Sequence, residues 1–394
     1  MPLATIYLKP GKEQSVKRFH PWIFSGAIRN TSAEISEGDI VNVEDAYGNF
    51  LGIGYYQIGS IAVRLVTFKK EKIDEQFWLQ KIKAAYELRK SIGLINNDQT
   101  NSYRLVYGEG DNLPGLIIDI YNKTAVLQMH TIGMYNLRDV IVDSIKSIYG
   151  DEIEAIYDKS EDTLPYKAKA NAVNGYVFGK SSSFIAKENG LQFNVDWEKG
   201  QKTGFFLDQR DNRALVEKYS KDRSVLNLFC YTGGFSLYAM RGGAKKVHSV
   251  DSSERAVLLA EENVELNFKG DERHKAFAKD AFKYLENTKH QYDLIILDPP
   301  AFAKHLKVVR NALQGYRRLN TKAIEVIKPG GFIFTYSCSQ VISKDAFRTM
   351  IFSAAAKAGR EVKVIDEMSQ PSDHPISIYH PEGDYLKGLL LYVE

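Results

Sequence analysis

The sequence has few of the features that mark extracellular or membrane proteins. Only two cysteines, Cys230 and Cys338, occur in 394 residues, too few for a disulfide framework or a four-cysteine metal site. No apolar run reaches the roughly 18 residues that a membrane helix needs. The first residues also lack the basic and apolar segments of a secretory signal. These absences predict a protein of the reducing cytoplasm without a membrane partner.

The net charge is also small. The chain carries 52 Lys and Arg against 49 Asp and Glu, a formal charge of +3. Such a balance fits a nucleic-acid partner only where the basic residues cluster. The hydrophobic fraction of 44% and the length predict a globular protein of two or three domains.

The pattern of apolar and turn residues divides the chain into three regions. Residues 1–72 contain short runs of alternating polarity between glycines, which predicts a small β-barrel. Residues 73–190 combine a helical pattern over 74–89 with a hairpin signal over 116–129, which predicts a central α+β domain. Residues 191–394 repeat a strand, a turn and a helix.

The third region therefore predicts an α/β fold. Its strand-length segments are apolar on both faces, as in a parallel sheet that helices cover on both sides. These segments are 224–229, 246–250, 292–297 and 331–336, and helical patterns over 235–240, 253–267 and 308–327 separate them.

A glycine turn follows the first of these strands. Gly233 and Gly234 are adjacent, and the G-x-G-x-x-G pattern of dinucleotide-binding proteins is absent. In an open parallel sheet the ligand lies at the carboxyl ends of the strands, and glycine lets the backbone approach it. The strand and turn predict cofactor contacts from Asn227, Phe229, Tyr231, Gly233 and Gly234.

Acidic residues follow the next strands in order. Asp251 lies about 20 residues beyond the glycine turn, where an acid that binds ribose hydroxyls is expected. Asp280 follows at the position predicted for the adenine edge, and Asp298 ends a further strand. Each acid alone is as well explained as a helix N-cap. The four sites together are typical of the class I fold of methyltransferases that use S-adenosyl-L-methionine.

The segment that begins at Asp298 is similar to the motif by which methyltransferases present a target base. Pro299 and Pro300 stiffen the backbone, and polar groups there could hold the edge of a flipped base. In enzymes that methylate an exocyclic amino group, an aromatic residue follows the second proline directly. Here Ala301 intervenes before Phe302, which disfavours amino methylation.

Cys338 follows a strand and is the predicted nucleophile. A thiolate that adds to C6 of a pyrimidine makes C5 nucleophilic, and a thiol can leave again afterwards. Asp298 could hold or protonate the N3 edge of cytosine during the addition. The alternative for Cys338 is a buried small hydrophobe. Cys230, beside the glycine turn, is interpreted as a packing residue.

Seven segments across the whole chain resemble the PUA-containing ribosomal RNA (cytosine-C5)-methyltransferases of bacteria. They are residues 9–12, 20–26, 108–119, 201–213, 227–236, 298–302 and 336–339. The resemblance implies a PUA β-barrel over 1–72, a central α+β domain over 73–190 and a Rossmann-like methyltransferase domain over 191–394. It also implies 23S ribosomal RNA as partner, Cys338 as nucleophile, and cofactor contacts from Gln209 and Arg210.

Basic and aromatic residues are candidates for holding the RNA. In the first region these are Lys9, Lys12, Arg18 and Trp22, since cations contact phosphates and aromatic rings stack on unpaired bases. Lys304 begins a second basic run that continues into the helical segment over 308–327. Core aromatics and solvated lysines are the alternative explanation. The target base must be flipped or unpaired to react.

The sequence leaves other functions open. An N-methyltransferase could use the Asp298 motif without Cys338, and an RNA-binding ribosome-assembly factor could retain a degenerate methyltransferase domain. A dehydrogenase is disfavoured because the dinucleotide pattern is absent. A homodimer is kept as an option, and no metal ligands are assigned.

Overall fold

The computed structural model describes residues 3–165, 172–289, 291–303 and 305–394. The chain forms two compact units. The first consists of Met1–Lys187, Val195–Phe205 and Ser372–Gly383, and the second of Glu188–Asn194, Phe206–Pro371 and Asp384–Glu394. The sequence-based boundary near residue 72 falls inside the first unit. The three-domain division over 1–72, 73–190 and 191–394 stays a prediction.

The first unit begins with a six-stranded sheet. Its elements are β1 (Ala4–Leu8), α1 (Gln14–Lys17), β2 (Trp22–Phe24), β3 (Ile28–Thr31), β4 (Ile40–Glu44), β5 (Phe50–Tyr56) and β6 (Ile61–Thr67). The strand order is β2-β6-β5-β4-β1-β3. Side chains that alternate inward from these strands, such as Val41, Val43 and Val63, are fully buried in one core.

A five-stranded sheet and helices complete the first unit. The elements are α2 (Glu75–Ser91), β7 (Ser102–Tyr107), β8 (Leu116–Tyr121), β9 (Thr124–Met129), α3 (Ile132–Asn136), α4 (Arg138–Tyr149), β10 (Ala155–Asp158) and β11 (Gly175–Gly179). The predicted hairpin is confirmed as the antiparallel β8–β9 pair, with Asn122 left-handed in its turn at a φ of 54°. The predicted helix over 74–89 is confirmed as α2. The Asp74 carboxylate caps the start of this helix by accepting the Phe77 N–H.

The chain then passes between the units through β12 (Ile185–Glu188) and β13 (Leu191–Asn194). The second unit contains α5 (Arg210–Lys218), β14 (Ser224–Leu228), α6 (Gly234–Arg241), β15 (Lys246–Asp251), α7 (Glu254–Asn267), β16 (His274–Ala278), α8 (Ala281–Glu286), β17 (Leu294–Leu297), α9 (Val309–Val326), β18 (Gly331–Ser337), α10 (Lys344–Ala358), β19 (Val362–Met368) and β20 (Lys387–Val393).

The second unit is built on a seven-stranded sheet in the order β16-β15-β14-β17-β18-β20-β19. The pairs among its first five strands are parallel, and β20 runs antiparallel to both of its neighbours. The chain order reverses between β14 and β17, which creates a switch point at the carboxyl edge of the sheet. The predicted parallel sheet covered by helices is therefore confirmed.

Buried apolar side chains hold this sheet between its helices. All four residues of β17 are fully buried, as expected for a central strand that is covered on both faces. Tyr316 and Leu319 of α9 pack in the same core as Phe347 of α10. Among the described residues, no helix is long and apolar enough to cross a membrane.

Candidate active site

The strand register places Asp298 at the switch point. Leu297 at the end of β17 pairs with Leu228 of β14 on one side and with Thr335 of β18 on the other. Asp298 therefore leaves the sheet between the ends of these two strands. Ligands of open α/β sheets bind in this crevice.

The loop after β14 has an unusual backbone. Phe229 and Tyr231 have left-handed φ values of 59° and 46°, which aromatic residues rarely adopt. The Tyr231 N–H donates to Asp251 Oδ2 at 3.0 Å, and the Tyr231 ring meets Phe206 edge-on. Such strained conformations persist where the surroundings enforce them, and they cluster at functional sites.

Both glycines of this loop have packing reasons of their own. Gly233 has a φ of +78°, and a Cβ on it would lie 2.9 Å from the Ala260 Cβ of α7. A Cβ on Gly234 would lie 3.1 Å from Cδ of Arg213. Both glycines thus let the start of α6 pack closely, in addition to the cofactor contact predicted from the sequence.

The acids Asp251 and Asp280 lie at neighbouring strand ends. Asp251 pairs in register with Ala278, two residues before Asp280. The half-buried Asp251 carboxylate accepts two backbone N–H groups, from Tyr231 and Ser253. Asp280 is exposed and caps α8 by accepting the Lys283 N–H at 2.9 Å. The N-cap role that the sequence left open is thus present at Asp280.

The residues at this end of the sheet fit an S-adenosylmethionine molecule. A carboxylate has about four lone-pair sites, so Asp251 keeps acceptors for the two ribose hydroxyls. The side-chain amide of Asn227 is buried in β14, where its nitrogen donates to Ser236 Oγ at 2.9 Å. Its Oδ1 has no hydrogen-bond partner among the described residues, which leaves a buried acceptor beside the loop.

Gln209 connects the segment before α5 to the chemical end of the site. Its Nε2 donates to Asp298 Oδ1 at 3.0 Å, and its Oε1 accepts from Asn212. Arg210 is also buried, but its Nε lies 3.6 Å from a carboxylate oxygen of Glu188. The structure thus brings Gln209 to Asp298 and Arg210 to a different acid.

A buried ion pair supports the loop from behind and was missed in the sequence. Arg213 donates through Nε and Nη2 to both oxygens of Glu188, at 2.8 and 2.7 Å. The Tyr238 hydroxyl of α6 donates to the same carboxylate at 2.9 Å. A further Arg213 nitrogen donates to the Phe206 carbonyl. These bonds fix the start of α6 and the aromatic contact of Tyr231 together.

The segment after Asp298 is partly buried. Pro299 is buried and Pro300 is exposed. The Phe302 ring packs on Tyr316 of α9 with a centroid distance of 4.5 Å, in space left by Gly315. The predicted base-stacking ring therefore has a partner within the protein. Lys304 lies outside the described residues.

The two cysteines differ in their surroundings. Cys338 is half-buried and immediately follows β18. Cys230 is 6% exposed, and burial together with the nearby Asp251 charge raises the pKa of its thiol far above the usual range. Cys230 is thus held as a neutral thiol, in agreement with its interpretation as a packing residue.

Ser339 ties the loop of Cys338 to its neighbours. Its Oγ accepts the Ala303 N–H at 3.4 Å and lies 3.2 Å from the Tyr316 hydroxyl. Its carbonyl accepts from Nζ of Lys387, a buried lysine, at 2.7 Å. Lys387 was missed because no motif surrounds it, although the apolar run over β20 was a signal for a strand.

The candidate RNA-binding residues of the first unit lie mostly on its surface. Lys9, Lys12 and Arg18 are exposed, and Lys9 Nζ donates to the Gly26 carbonyl. Lys12 lines a cavity of about 330 Å³ together with the exposed Phe24. Trp22 is half-buried, and its indole N–H donates to Glu109 Oε1 at 2.7 Å. The structure therefore gives Trp22 a partner inside the unit.

Two family models match the chain. Residues 6–68 match a PUA-like domain, and residues 165–390 match the S-adenosylmethionine-dependent methyltransferases. The order of the seven strands and the acids at their carboxyl ends agree with the second match. The fold and the site define a class I S-adenosylmethionine-dependent methyltransferase with a PUA-like domain, as the sequence predicted.

Relatives that align over nearly their full length show which family of methyltransferases the chain belongs to. The chain is 41% identical over 397 residues to ribosomal RNA large subunit methyltransferase I of Alteromonas mediterranea, and the alignment covers 99% of both chains. It is also 41% identical to the protein of the same name from Shewanella frigidimarina, over 98% of this chain and 99% of the relative. The chain belongs to the family of these methyltransferases.

Solved structures support the fold over its whole length. A SAM-dependent methyltransferase candidate from Streptococcus mutans superposes with a TM-score of 0.84 at 25% identity, covering 99% of this chain and all of the other. A candidate methyltransferase complexed with SAH gives a TM-score of 0.86 at the same identity and coverage. The protein is thus similar to a candidate methyltransferase that has been crystallised with the demethylated cofactor.

Proposed function

We propose that the protein transfers a methyl group to C5 of a cytosine in 23S ribosomal RNA, through a covalent bond between Cys338 and C6. The observation that carries this proposal is the similarity to ribosomal RNA large subunit methyltransferase I over 99% of the chain. The half-buried thiol of Cys338, one residue beyond β18, supports the covalent route.

The cofactor would lie at the carboxyl ends of β14, β15 and β16. Asp251 would hold the ribose hydroxyls and Asp280 the adenine edge, while the backbone from Phe229 to Gly234 and the Gln209 amide would border the rest. Bound S-adenosylmethionine supplies an electrophilic methyl group. The left-handed loop fits this role, since its position is fixed by the Tyr231 bond to Asp251 before any ligand enters.

Cys338 and Asp298 would act on the base. The Cys338 thiolate forms a bond to C6, and the ring electrons that it displaces are held by a proton at N3, for which Asp298 is the candidate donor or holder. C5 thereby becomes nucleophilic towards the methyl group. C5 would then bond to the methyl carbon as the bond from that carbon to the cofactor sulfur breaks, and S-adenosylhomocysteine would leave. A base would take the C5 proton, the electron pair of that C–H bond would re-form the C5–C6 double bond and expel the thiolate, and N3 would give back its proton. Gln209, which donates to Asp298 Oδ1, would keep that carboxyl group oriented.

The first unit would contribute contacts to the phosphates and unpaired bases of the RNA. Lys9, Lys12 and Arg18 offer exposed cations for phosphates. Phe19 and Phe24 are about half exposed, at 49% and 51%, and such rings stack on unpaired bases. Trp22, and Phe302 of the second unit, stay predicted RNA contacts. Both rings are partly buried, so only their exposed parts could contact a base.

The proposal extends to the location of the protein, its oligomeric state and the basic residues of α9. A cytoplasmic location follows from an rRNA substrate, and a homodimer stays a prediction. In the second unit, Arg310 and Arg317 of α9 are exposed and would extend the basic run that begins at Lys304 towards RNA.

The deciding experiment compares rRNA from cells with and without the gene. Methylated positions of 23S rRNA are mapped at nucleotide resolution, and the nucleoside is identified by mass spectrometry. We expect one 5-methylcytidine to disappear and to return when the wild-type gene is restored. Loss of an N-methylated nucleoside would assign the reaction to the amino or ring nitrogen. Unchanged rRNA methylation would support an assembly factor instead.

A further inference from the structure

The amino group of Lys387 bonds to the backbone of Ser339, the residue directly after the candidate nucleophile. Lys387 opens β20 and stands opposite Ser337 in the antiparallel β18–β20 pair. Its Nζ donates to the carbonyl of Ser339, two residues further along the chain, at 2.7 Å. The lysine side chain therefore runs past the position of Cys338, from the residue before it to the residue after it.

We propose that Lys387 is a positioning residue that takes the thiol proton of Cys338 and then holds the sulfur as a thiolate. The inference rests on the proposed function of Cys338. In this step the S–H bond breaks and its electron pair stays on sulfur, while a new N–H bond forms on the Lys387 amine. The resulting ammonium ion stabilises the thiolate before it attacks C6 and again when it leaves.

The burial of Lys387 makes it suitable for this exchange. Lys387 is only 4% exposed. Burying an ammonium ion costs free energy unless an anion lies nearby. Burial lowers the pKa of Lys387 to about 8, although the negative charges of Cys338 and Asp384 act to raise it. An amine with such a pKa exchanges its proton close to neutral pH, where a free lysine would stay charged.

Other charged groups near Lys387 do not replace it. Lys344 is the second nearby cation, but it pairs with Asp384 at 2.6 Å and is more than half exposed. Burial raises the pKa of Tyr316, so this hydroxyl stays neutral at pH 7. Asp298, at the end of the neighbouring strand, is negative when ionised and disfavours a thiolate. A cation beside Cys338 would offset such a charge.

The experiment measures the pKa of the Cys338 thiol directly. The rate of alkylation by iodoacetamide is followed from pH 5.5 to 10 on the full-length protein, and peptide mass spectrometry confirms that the label is on Cys338. Cys230 is buried and should react slowly. The variants are Lys387→Met and Lys387→Arg, with Lys344→Met as the control that removes a nearby charge of the same sign.

A specific shift of the pH profile is expected. In the wild-type protein the midpoint should lie below the usual thiol value of about 8.5. Lys387→Met should move it up by about one pH unit, which slows alkylation at pH 7 about tenfold, because a neighbouring cation lowers a thiol pKa. Lys387→Arg keeps the cation, although it cannot take up a proton, so it should restore most of the shift, because the midpoint reports how well a cation stabilises the thiolate. Lys344→Met should leave the midpoint within about 0.3 units.

Two results would overturn the inference. The first is a wild-type midpoint at or above about 8.5, which needs no variant and is unaffected by misfolding. The second is a Lys387→Met protein that binds S-adenosylmethionine normally and keeps the wild-type midpoint. A merely structural role would change alkylation equally at all pH values and would leave the midpoint in place.

The outcome is separable from that of the proposed function. The thiol titration needs neither RNA nor methyl transfer. If Cys338→Ala methylates rRNA at the wild-type rate, the covalent route fails, whatever the titration shows. If Cys338→Ala is inactive and the wild-type midpoint is normal, the covalent route stands and the role of Lys387 fails.

Discussion

Two cysteines follow strands of the same sheet, and their surroundings differ. Cys230 lies two residues beyond β14, is buried, and faces the charge of Asp251, so its pKa is raised. Cys338 lies one residue beyond β18, is partly accessible, and precedes Ser339, whose carbonyl accepts from the amino group of Lys387. The position after a strand is thus common to both. They differ in accessibility, and the charged group that acts on Cys230 is an acid, whereas Cys338 interacts with the amine of Lys387.

The loops that carry the two cysteines also differ in what holds them. The first loop is fixed by left-handed residues, by a glycine against α7 and by the carboxylate of Asp251. The second loop is held through Ser339, which bonds to α9, to β20 and to the loop after β17, while the preceding residue is partly accessible. A rigid loop suits a cofactor that is held without a covalent bond to the protein, and a partly accessible cysteine suits bond formation.

The strongest test of this contrast replaces each cysteine with alanine. Cys338→Ala should lower the rate of methyl transfer by about a thousandfold or more, the scale expected when a nucleophile is removed. Cys230→Ala should retain most of the activity, because it removes a small buried side chain. Rates are measured with rRNA transcripts and labelled cofactor, and calorimetry checks cofactor binding.

Cofactor affinity provides the control for this comparison. Both alanine variants should bind S-adenosylmethionine with a Kd within a few-fold of the wild-type value. Equal losses of activity in the two variants would contradict the division of roles. A Cys338→Ala protein that turns over normally would eliminate the covalent mechanism.

The second test asks how far the first loop depends on the ion pair behind it. Arg213→Met should destabilise the protein by about 3–5 kcal/mol, because it leaves the Glu188 carboxylate buried without its bidentate partner. The free energy of unfolding is measured by urea titration. Cofactor affinity should fall as well, since Arg213 also fixes the Phe206 carbonyl.

A less buried pair on the same unit is the matched control. Arg241 pairs with Glu217 at 2.7 Å, and both side chains are about a third exposed. Arg241→Met should therefore cost no more than about 1 kcal/mol. Similar losses in both variants would show that burial does not decide the importance of the Glu188–Arg213 pair.

Local sequence patterns predicted the sheet and its edge well. Apolar runs over β14, β15, β17 and β18 each ended at a residue whose type suggested a ligand, and parallel strands bring such ends together. The acids Asp251 and Asp298 were therefore found without any knowledge of pairing. The Asp74 cap and the β8–β9 hairpin were likewise readable from neighbouring residues.

Contacts between distant segments could not be predicted in the same way. Lys387 reaches Ser339 across 48 positions of the sequence, and its place depends on the register of the β18–β20 pair. Glu188 and Arg213 are 25 positions apart on different elements. The burial of a side chain also limits what it can bind. The Phe302 ring, which was predicted to stack on a base, packs on Tyr316 of α9. A single sequence contains no local signal for these long-range pairings.

The third test compares the two acids of the cofactor end and should give the smallest effects. Asp251→Ala should raise the Kd for S-adenosylmethionine by about 10- to 100-fold, since hydrogen bonds to a charged group contribute about 1.5–3 kcal/mol. Asp280 is exposed and already occupied as the cap of α8, so Asp280→Ala should change the Kd by about fivefold or less. Calorimetry measures both values.

Stability separates the two acids a second time. Asp280→Ala should lower the free energy of unfolding by about 0.5–2 kcal/mol, because the helix loses its cap. This loss should be the same with and without the cofactor. Asp251→Ala releases the Tyr231 N–H as well, so the left-handed loop should loosen, and hydrogen exchange at Tyr231 should become faster. Should Asp280→Ala weaken cofactor binding more than Asp251→Ala, the adenine edge rather than the ribose would be the main anchor. The rigid loop after β14 would then serve packing alone, and the contrast with the loop of Cys338 would lose its functional half.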